Sequence, residues 1–437
     1  MSDFVQQAVQ LAPSAMPSWL TDHAKSSRDF WSKSTLPTRK TEAWKYTRLR
    51  PLETGNYLNA AKPATADASL IQPSLIDGLN VHRLVFIDGQ FQQALSDSDM
   101  PEGAELVRFA DANERQVDSI NQHLGSLFDR ENHLFSALND AWLKDGLFLR
   151  FKKNTRVEQP VQVISLTTSQ EQAFSIAQRL LVLVEEQAEA TVIEHFASTN
   201  EEQNSFTNSV TELVLEADAK LHHYRLHLEE EQSIHIGGVH AGLGRSAQLN
   251  SFQIALGSKL KRLDVVINHQ GEGAHCELNG VYLPQREQHV DFHTCIEHAV
   301  PNCTTNEVFR GIVSDSAQAV FNGRIHIHPG AQKTSAMLSN KNLLTSNKAE
   351  VDTKPELEIY ADDVQCAHGA TVAQIDEQLL YYFLSRGISR QEAEVMLSFG
   401  FINELLNQVH HQEIGDYLRP LLAKRFAADP KMTRHIT

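Results

Sequence analysis

Leu180–Phe196 reads LLVLVEEQAEATVIEHF. An apolar run, Leu180–Val184, meets two glutamates and the small–polar–small triplet Ala188-Glu-Ala190. A second run, Thr191–Phe196, follows at once. Runs this short, rich in Val, Ile and Leu, read as strands rather than helices. The corner between them is too tight to hold a crossover helix. Similar corners recur at Ala217-Asp-Ala219, Ser246-Ala247-Gln248, Ala317-Gln-Ala319 and Gly330-Ala331-Gln332. The gaps 188 to 217 and 217 to 246 are equal at 29 residues, and later gaps are shorter and irregular. Period-two runs continue from Leu147–Phe151 to Glu356–Tyr360 with no convincing long helix between them. Small residues at regular corners suit a stacked β-solenoid, in which each coil turns sharply onto the next. A β-sandwich or barrel is the alternative.

Outside this core the period changes. Asp3–Leu11 and Ser18–Trp31 carry helical apolar spacing, as do Val117–Leu127 and Glu131–Trp142. Trp44 and Tyr46, among the basic residues of Arg39–Leu52, are expected to pack that segment against the next domain. After the core, Asp376 is placed to cap a helix that Gly387 ends. Ser389 and Glu392 form a capping-box pattern ahead of another helix, and Glu413–Phe426 is the last. The expected organisation is a mainly helical region over 1–145, a β core over 146–372 and a helical region over 373–437. The C-terminal helices suit either capping the core's open edge or docking another protein.

The 437 residues carry a formal net charge of -16, which disfavours nucleic acid and anionic membranes as partners. No run of eighteen apolar residues is present, and the N-terminus lacks the basic-then-apolar pattern of a secretory signal. The four cysteines, Cys276, Cys295, Cys303 and Cys366, form no CxxC pair and no disulfide framework. A cytoplasmic protein is expected. The sequence has no GxxxxGK[ST] loop, so no nucleotide is expected on this chain itself.

Three stretches carry candidate chemistry. In VQCAH, Val364, Cys366 and His368 alternate and share one strand face. A thiolate and an imidazole there suit iron or zinc, but two ligands do not complete a site. Otherwise they are a buried cysteine and a hydrogen-bonded histidine at a coil end. In HVDFHTCIEH, His289, Asp291, His293, Cys295 and Glu297 share a polar face opposite Val290, Phe292, Thr294 and Ile296. Alternate residues on one strand lie roughly 7 Å apart, so a structural or surface role is expected for the polar row. In GRIHIHPG, His326 and His328 alternate with Ile325 and Ile327 and are read as facing solvent or an interface. Asp362 and Asp363, as strand neighbours, point to opposite faces and make a poor catalytic pair.

In order along the chain, several blocks resemble the SufB/SufD family of the SUF iron–sulfur cluster assembly system. They are Glu42-Ala-Trp-Lys-Tyr-Thr47, Leu84–Gly89, Asp145-Gly146, His298 with Pro301, Phe309-Arg-Gly311 and Phe321-Asn-Gly323. The most specific is Lys354–Val372, KPELEIYADDVQCAHGATV, and Ser385-Arg-Gly-Ile388 and Gly400-Phe401 complete the set. The EAWKYT block resembles the SufD branch more than SufB. The resemblance implies a right-handed parallel β-helix between helical regions and a non-catalytic scaffold role. It implies pairing with SufB through the β-helix, and with the SufC ATPase, in two copies, through the C-terminal region. A transient iron–sulfur cluster or iron would sit at the SufB interface with His368 as its ligand and Cys366 as a secondary one. A link to iron acquisition also follows. Homodimerisation through the solenoid edge or faces, in the absence of SufB, is a further option. The alternative is a stand-alone solenoid lyase or hydrolase acting on polysaccharides. Ala367 and Ala373 depart from the family pattern, as do Met337 and Leu338, where glutamine is usual. Met337 is expected to pack in the core.

Overall fold

The computed structural model describes residues 3–11, 16–62, 65–229 and 231–427. The end of the expected 373–437 region lies outside these beyond residue 427. The strands are β1 (His82–Ile87), β2 (Gln90–Phe91), β3 (Ala104–Arg108), β4 (Leu147–Phe151), β5 (Val161–Thr167), β6 (Phe174–Val184), β7 (Glu189–Ser198), β8 (Ser205–Leu215), β9 (Lys220–His227) and β10 (Glu231–Leu243). They continue with β11 (Gln248–Leu256), β12 (Ser258–His269), β13 (His275–Leu283), β14 (His289–His298), β15 (Thr304–Val313), β16 (Gln318–Ile327), β17 (Ser335–Leu344), β18 (Glu350–Ile359) and β19 (Gln365–Gln374). From β4 onward successive strands alternate between two sheets, each pairing in parallel with the strand two places ahead. One odd and one even strand make a coil, and the chain is a parallel β-solenoid. Residues before 146 join it. β1 pairs with β5 in parallel, while β3 runs antiparallel to β4.

The corners explain the recurring small residues. Gln187, Asp218, Ser246, Asn302 and Lys333 all take positive φ, between 54° and 62°, and Gly273 holds the equivalent place. The backbone N–H of each donates to a carbonyl of the next corner, as from Gln187 to Ala217, Asp218 to Arg245 and Ser246 to Glu272. The residue after each packs inside the turn: Ala188, Ala219, Ala247, Ala274 and Cys303 are all buried. A larger side chain would force the coil open. Ala217 is not the equivalent of Ala188. The two equal gaps therefore mix three positions of the corner, the residue after the positive-φ one (Ala188), the residue before it (Ala217) and that residue itself (Ser246), which is why the repeat fades.

Inward residues of both sheets form the central core, including Val182, Val192, Leu221, Leu249, Leu278, Phe292, Phe321 and Leu338. The helices are α1 (Asp3–Leu11), α2 (Thr21–Lys33), α3 (Arg50–Thr54), α4 (Ala68–Ile71), α5 (Glu114–His123), α6 (Leu134–Trp142), α7 (Glu377–Ser385), α8 (Arg390–Leu406) and α9 (Gln412–Phe426). α1, α2 and α6 cover the outer face of the even sheet, where Val5, Trp31 and Phe135 meet Phe206, Ile236 and Leu260. α8 and α9 cover the odd sheet, with Ile402, Leu406 and Leu418 on Tyr224, Phe252 and Val281. Asp376 caps α7, and Ser389 and Glu392 close a capping box on α8. Gly387 takes φ +80 just past α7, the left-handed cap that glycine adopts without strain. None of the helices among the described residues is long and apolar enough to cross a membrane.

β10 and β17 have no counterpart in the sequence reading. In β10 the cause is Gly237 and Gly238, which break the apolar alternation. An added Cβ would lie 2.0 Å from the Ser209 carbonyl oxygen at Gly237 and 2.6 Å from that of Asp264 at Gly238. Close backbone approach makes glycine the residue for this strand interior. Gly237→Ala is expected to destabilise the chain by about 1–3 kcal/mol through overpacking, read as a lower urea midpoint. An unchanged midpoint would contradict the packing described.

In β17 the residue read as core, Met337, faces outward and is 38% exposed. Strand parity is the reason. Ala336 and Leu338 on either side are the buried pair, and Met337 lies between them on the opposite face.

Candidate functional site

β19 is the last strand of the odd sheet and pairs only with β17, while β18 ends the even sheet against β16. Cys366 and His368 are the register partners of Ala336 and Leu338. Their side chains thus continue two inward rows of the core one rung further. Among the described residues, no coil stacks beyond them. Val364 and Cys366 are half-buried against the core, and His368 is exposed. Burial pushes the Cys366 thiol up from its ordinary range, which favours the neutral form. Among the described residues none hydrogen-bonds to the His368 imidazole, and no third metal-competent side chain joins Cys366 and His368. Asp363 serves the corner into β19. Its carbonyl accepts from the Lys333 N–H at 2.6 Å, and its carboxylate pairs with the Lys333 ammonium.

The β14 row divides in two. At its start, Asp291 accepts from Arg262 at 2.7 Å through one oxygen, and the His293 imidazole lies 3.1 Å from the other. Burial alone would raise its carboxyl, but Arg262 and His293 outweigh that and hold it below the usual carboxylate range. The Glu42–Thr47 segment covers this end. Thr47 hydrogen-bonds Asp291, Arg262 donates to the Ala43 carbonyl at 2.7 Å, and its guanidinium lies 4.5 Å from the Trp44 ring centre. The aromatic–basic segment therefore packs on the solenoid, as its composition implies.

At the other end of β14, Glu297 meets His326 and His328 across the strands, and Arg324 and Cys295 lie beside them. Reading one strand at a time missed this grouping. The signal was the 29-residue offset from Glu297 to His326, which matches the β14–β16 register. The reading also missed a set of buried ionic groups. Glu194 pairs with His223 at 3.0 Å inside the first coils, and Glu229 pairs with His235 at 2.6 Å and Lys261 at 3.3 Å. A cavity of about 480 Å³ opens beside the first coils, lined by Phe86, Arg179, Glu194 and Thr211. It lies far along the solenoid from Cys366 and His368, near the strands that begin the sheets.

Residues 166–401 match the SUF system FeS cluster assembly, SufBD core domain, and residues 2–163 match the SufBD protein N-terminal region. The chain belongs to the SufBD family. This SufBD chain is 33% identical over 399 residues to the iron–sulfur cluster assembly protein SufD of Escherichia coli (strain K12), with 90% of each chain covered. It is 30% identical over 414 residues to an iron–sulfur cluster assembly SufBD family protein of Synechocystis sp., covering 93% of this chain and 91% of that one. The chloroplastic protein ABCI7 of Arabidopsis thaliana is 28% identical over 408 residues, covering 90% and 83%. Among SufBD proteins the match is to the SufD type. Family and fold together support a non-catalytic SufBD-type scaffold role.

Proposed function

We propose that this SufBD chain is a SufD-type subunit that pairs with a SufB-type paralogue through the open end of its solenoid. There His368 would serve as a ligand to an iron–sulfur cluster under assembly, with Cys366 as a secondary ligand. The cluster is cargo, built at the interface and passed on. The observation that carries the reading is the last coil. Among the described residues, β18 and β19 each leave one backbone edge unpaired, and exposed edges template pairing with another chain. His368 stands on the core side of that edge with no partner of its own. A neutral imidazole binds iron without the tight hold of a thiolate, which suits a ligand that must release its cargo.

The same end carries apolar surface. Tyr360 is 60% exposed and Tyr381 73%, and Ile359, Val372, Leu379 and Tyr382 are exposed with them. A cluster of this kind on a charged protein marks an interaction surface. α7, with only Leu380 buried, is the surface assigned to a SufC-type ATPase, in two copies per complex. In isolation the free edges would pair with a second copy of the chain. The setting is the cytoplasm, and a part in iron acquisition follows from holding the iron of the growing cluster.

Anaerobic co-expression with the organism's SufB and SufC, followed by native mass spectrometry, tests the reading. One copy of this chain, one SufB and two SufC are expected. A chain that stays out of the complex refutes the partner assignment. His368→Ala should assemble normally and carry at least tenfold less cluster. Gly369 offers a cleaner probe of docking, since an added Cβ there meets nothing within 4 Å. Gly369→Arg should leave the isolated fold intact and abolish pairing with SufB.

A further inference from the structure

Glu297 and His326 are register partners on β14 and β16, and His328 follows the end of β16. Both imidazoles aim at one carboxylate oxygen. His326 Nδ1 lies 2.6 Å and His328 Nε2 2.9 Å from Glu297 Oε2. The three side chains are partly exposed, at 18%, 40% and 21% for His326, His328 and Glu297. The other oxygen, Oε1, is taken by Arg324 Nη1 at 3.1 Å, and Arg324 is itself held by Glu358 at 2.7 Å. The Cys295 thiol lies 3.5 Å from Oε1, and burial, with Glu297 next, pushes it up to about 12. The accessible donors are two nitrogens and one carboxylate oxygen, all within 4.8 Å of one another.

We propose that Glu297, His326 and His328 form a binding site for a first-row divalent transition-metal cation. Ligands at 2.0–2.1 Å from such an ion lie about 3 Å apart, close to the two nitrogen–oxygen separations here. Two histidines and one carboxylate with open positions make the donor set of non-haem ferrous sites. Arg324 fixes the carboxylate through Oε1 and leaves Oε2 to the ion, the outer-sphere orientation that metal-binding carboxylates use. The turn at Pro329-Gly330 and the His328 N–H, which donates to the His298 carbonyl at 3.0 Å, fix the second histidine. Without an ion, the protons of the imidazole–carboxylate hydrogen bonds occupy the same space. An ion would take the place of those protons on the ring nitrogens that face Glu297. The site stands on these side chains alone, and only the choice of Fe2+ as probe rests on the scaffold reading.

The test uses the full-length, tag-free chain, stripped with chelator and titrated anaerobically with Fe2+ alone, then with Co2+ for its visible absorption bands. One tightly bound ion per chain is expected. Glu297→Gln and, at the most exposed position, His328→Gln should each weaken it at least tenfold and alter the Co2+ bands, with circular dichroism of the metal-free chains unchanged. Absence of stoichiometric binding overturns the proposal. So does an ion that survives Glu297→Gln but is lost in His368→Ala, which would place it on the last coil. Assembly with SufB and SufC is a separate readout, so either proposal can fail alone.

Discussion

Arg179→Ala is expected to destabilise the chain by about 3–5 kcal/mol, the usual cost of breaking a buried ion pair by removing one partner. Arg179 lies on β6, its side chain wholly enclosed. One guanidinium nitrogen donates to Asp140 at 3.0 Å and Asn139 at 3.1 Å, and the other donates to Glu212 at 2.6 Å. Both carboxylates are themselves fully buried. Burial alone would raise the Asp140 carboxyl, but Arg179 first, then His23 and Arg130, holds it below the usual range. Glu212 also accepts the Gly125 N–H at 2.9 Å. One guanidinium thus ties α6, the segment after α5 and strands β6 and β8 together. Alanine leaves two buried carboxylates with one cation fewer between them. Arg179→Met keeps most of the apolar stem and should lose nearly as much, since charge rather than volume dominates. Chemical denaturation of both variants measures this. A loss under about 1 kcal/mol, typical of exposed pairs, would show that the network does not anchor the N-terminal helices.

The corners were legible in the sequence because sterics there admit few residues. The small-residue triplets fell on the corners, although the spacing matched Ala188 to Ala217 and Ser246 in place of Ala219 and Ala247. The C-terminal helices were equally clear, since Asp376, Ser389 with Glu392, and Gly387 act within a few residues of chain. β17 was not legible. Its inward row is Ala336, Leu338, Asn340 and Asn342, and the two asparagines are buried by hydrogen-bonding to Tyr282 and to each other. A buried amide ladder looks polar in one dimension. Cys366 and His368 stood out by chemistry and spacing, but their exposure depends on β19 being the last strand, which only stacking order reveals. The group of Glu297 with His326 and His328 requires a cross-strand register. Spacing along either strand separates those residues.

The inward row that ends at His368 contains a carboxyl whose titration sets the second large effect. Glu307 on β15 pairs in register with Leu278 on one side and Leu338 on the other, and Leu338 pairs with His368. The carboxyl is fully buried. Thr294 donates one hydrogen bond to it at 2.6 Å, and its second oxygen has no partner. Burial raises it to about 7, against a smaller lowering by Thr294. The folded chain therefore holds a proton that the unfolded chain releases near pH 4.3. Between those values the native state binds more protons, so stability from this group falls as pH rises from about 4 to about 7 and is constant above that. The loss is on the order of 3 kcal/mol. Buried histidines act in the opposite sense over much of the same window. His195 and His298 are lowered to about 4, chiefly by burial, and their contribution is lost as pH falls below about 6.5. They are common to wild type and Glu307→Gln, so the difference between the two proteins isolates the carboxyl. The variant should match wild type to within about 1 kcal/mol at pH 4 and exceed it by about 3 kcal/mol at pH 8, since glutamine fills the site without a charge to bury. Urea midpoints across that range measure the gap. Parallel curves would mean that Glu307 ionises normally and that water reaches the interior beneath Leu338, leaving the floor under His368 wet rather than dry.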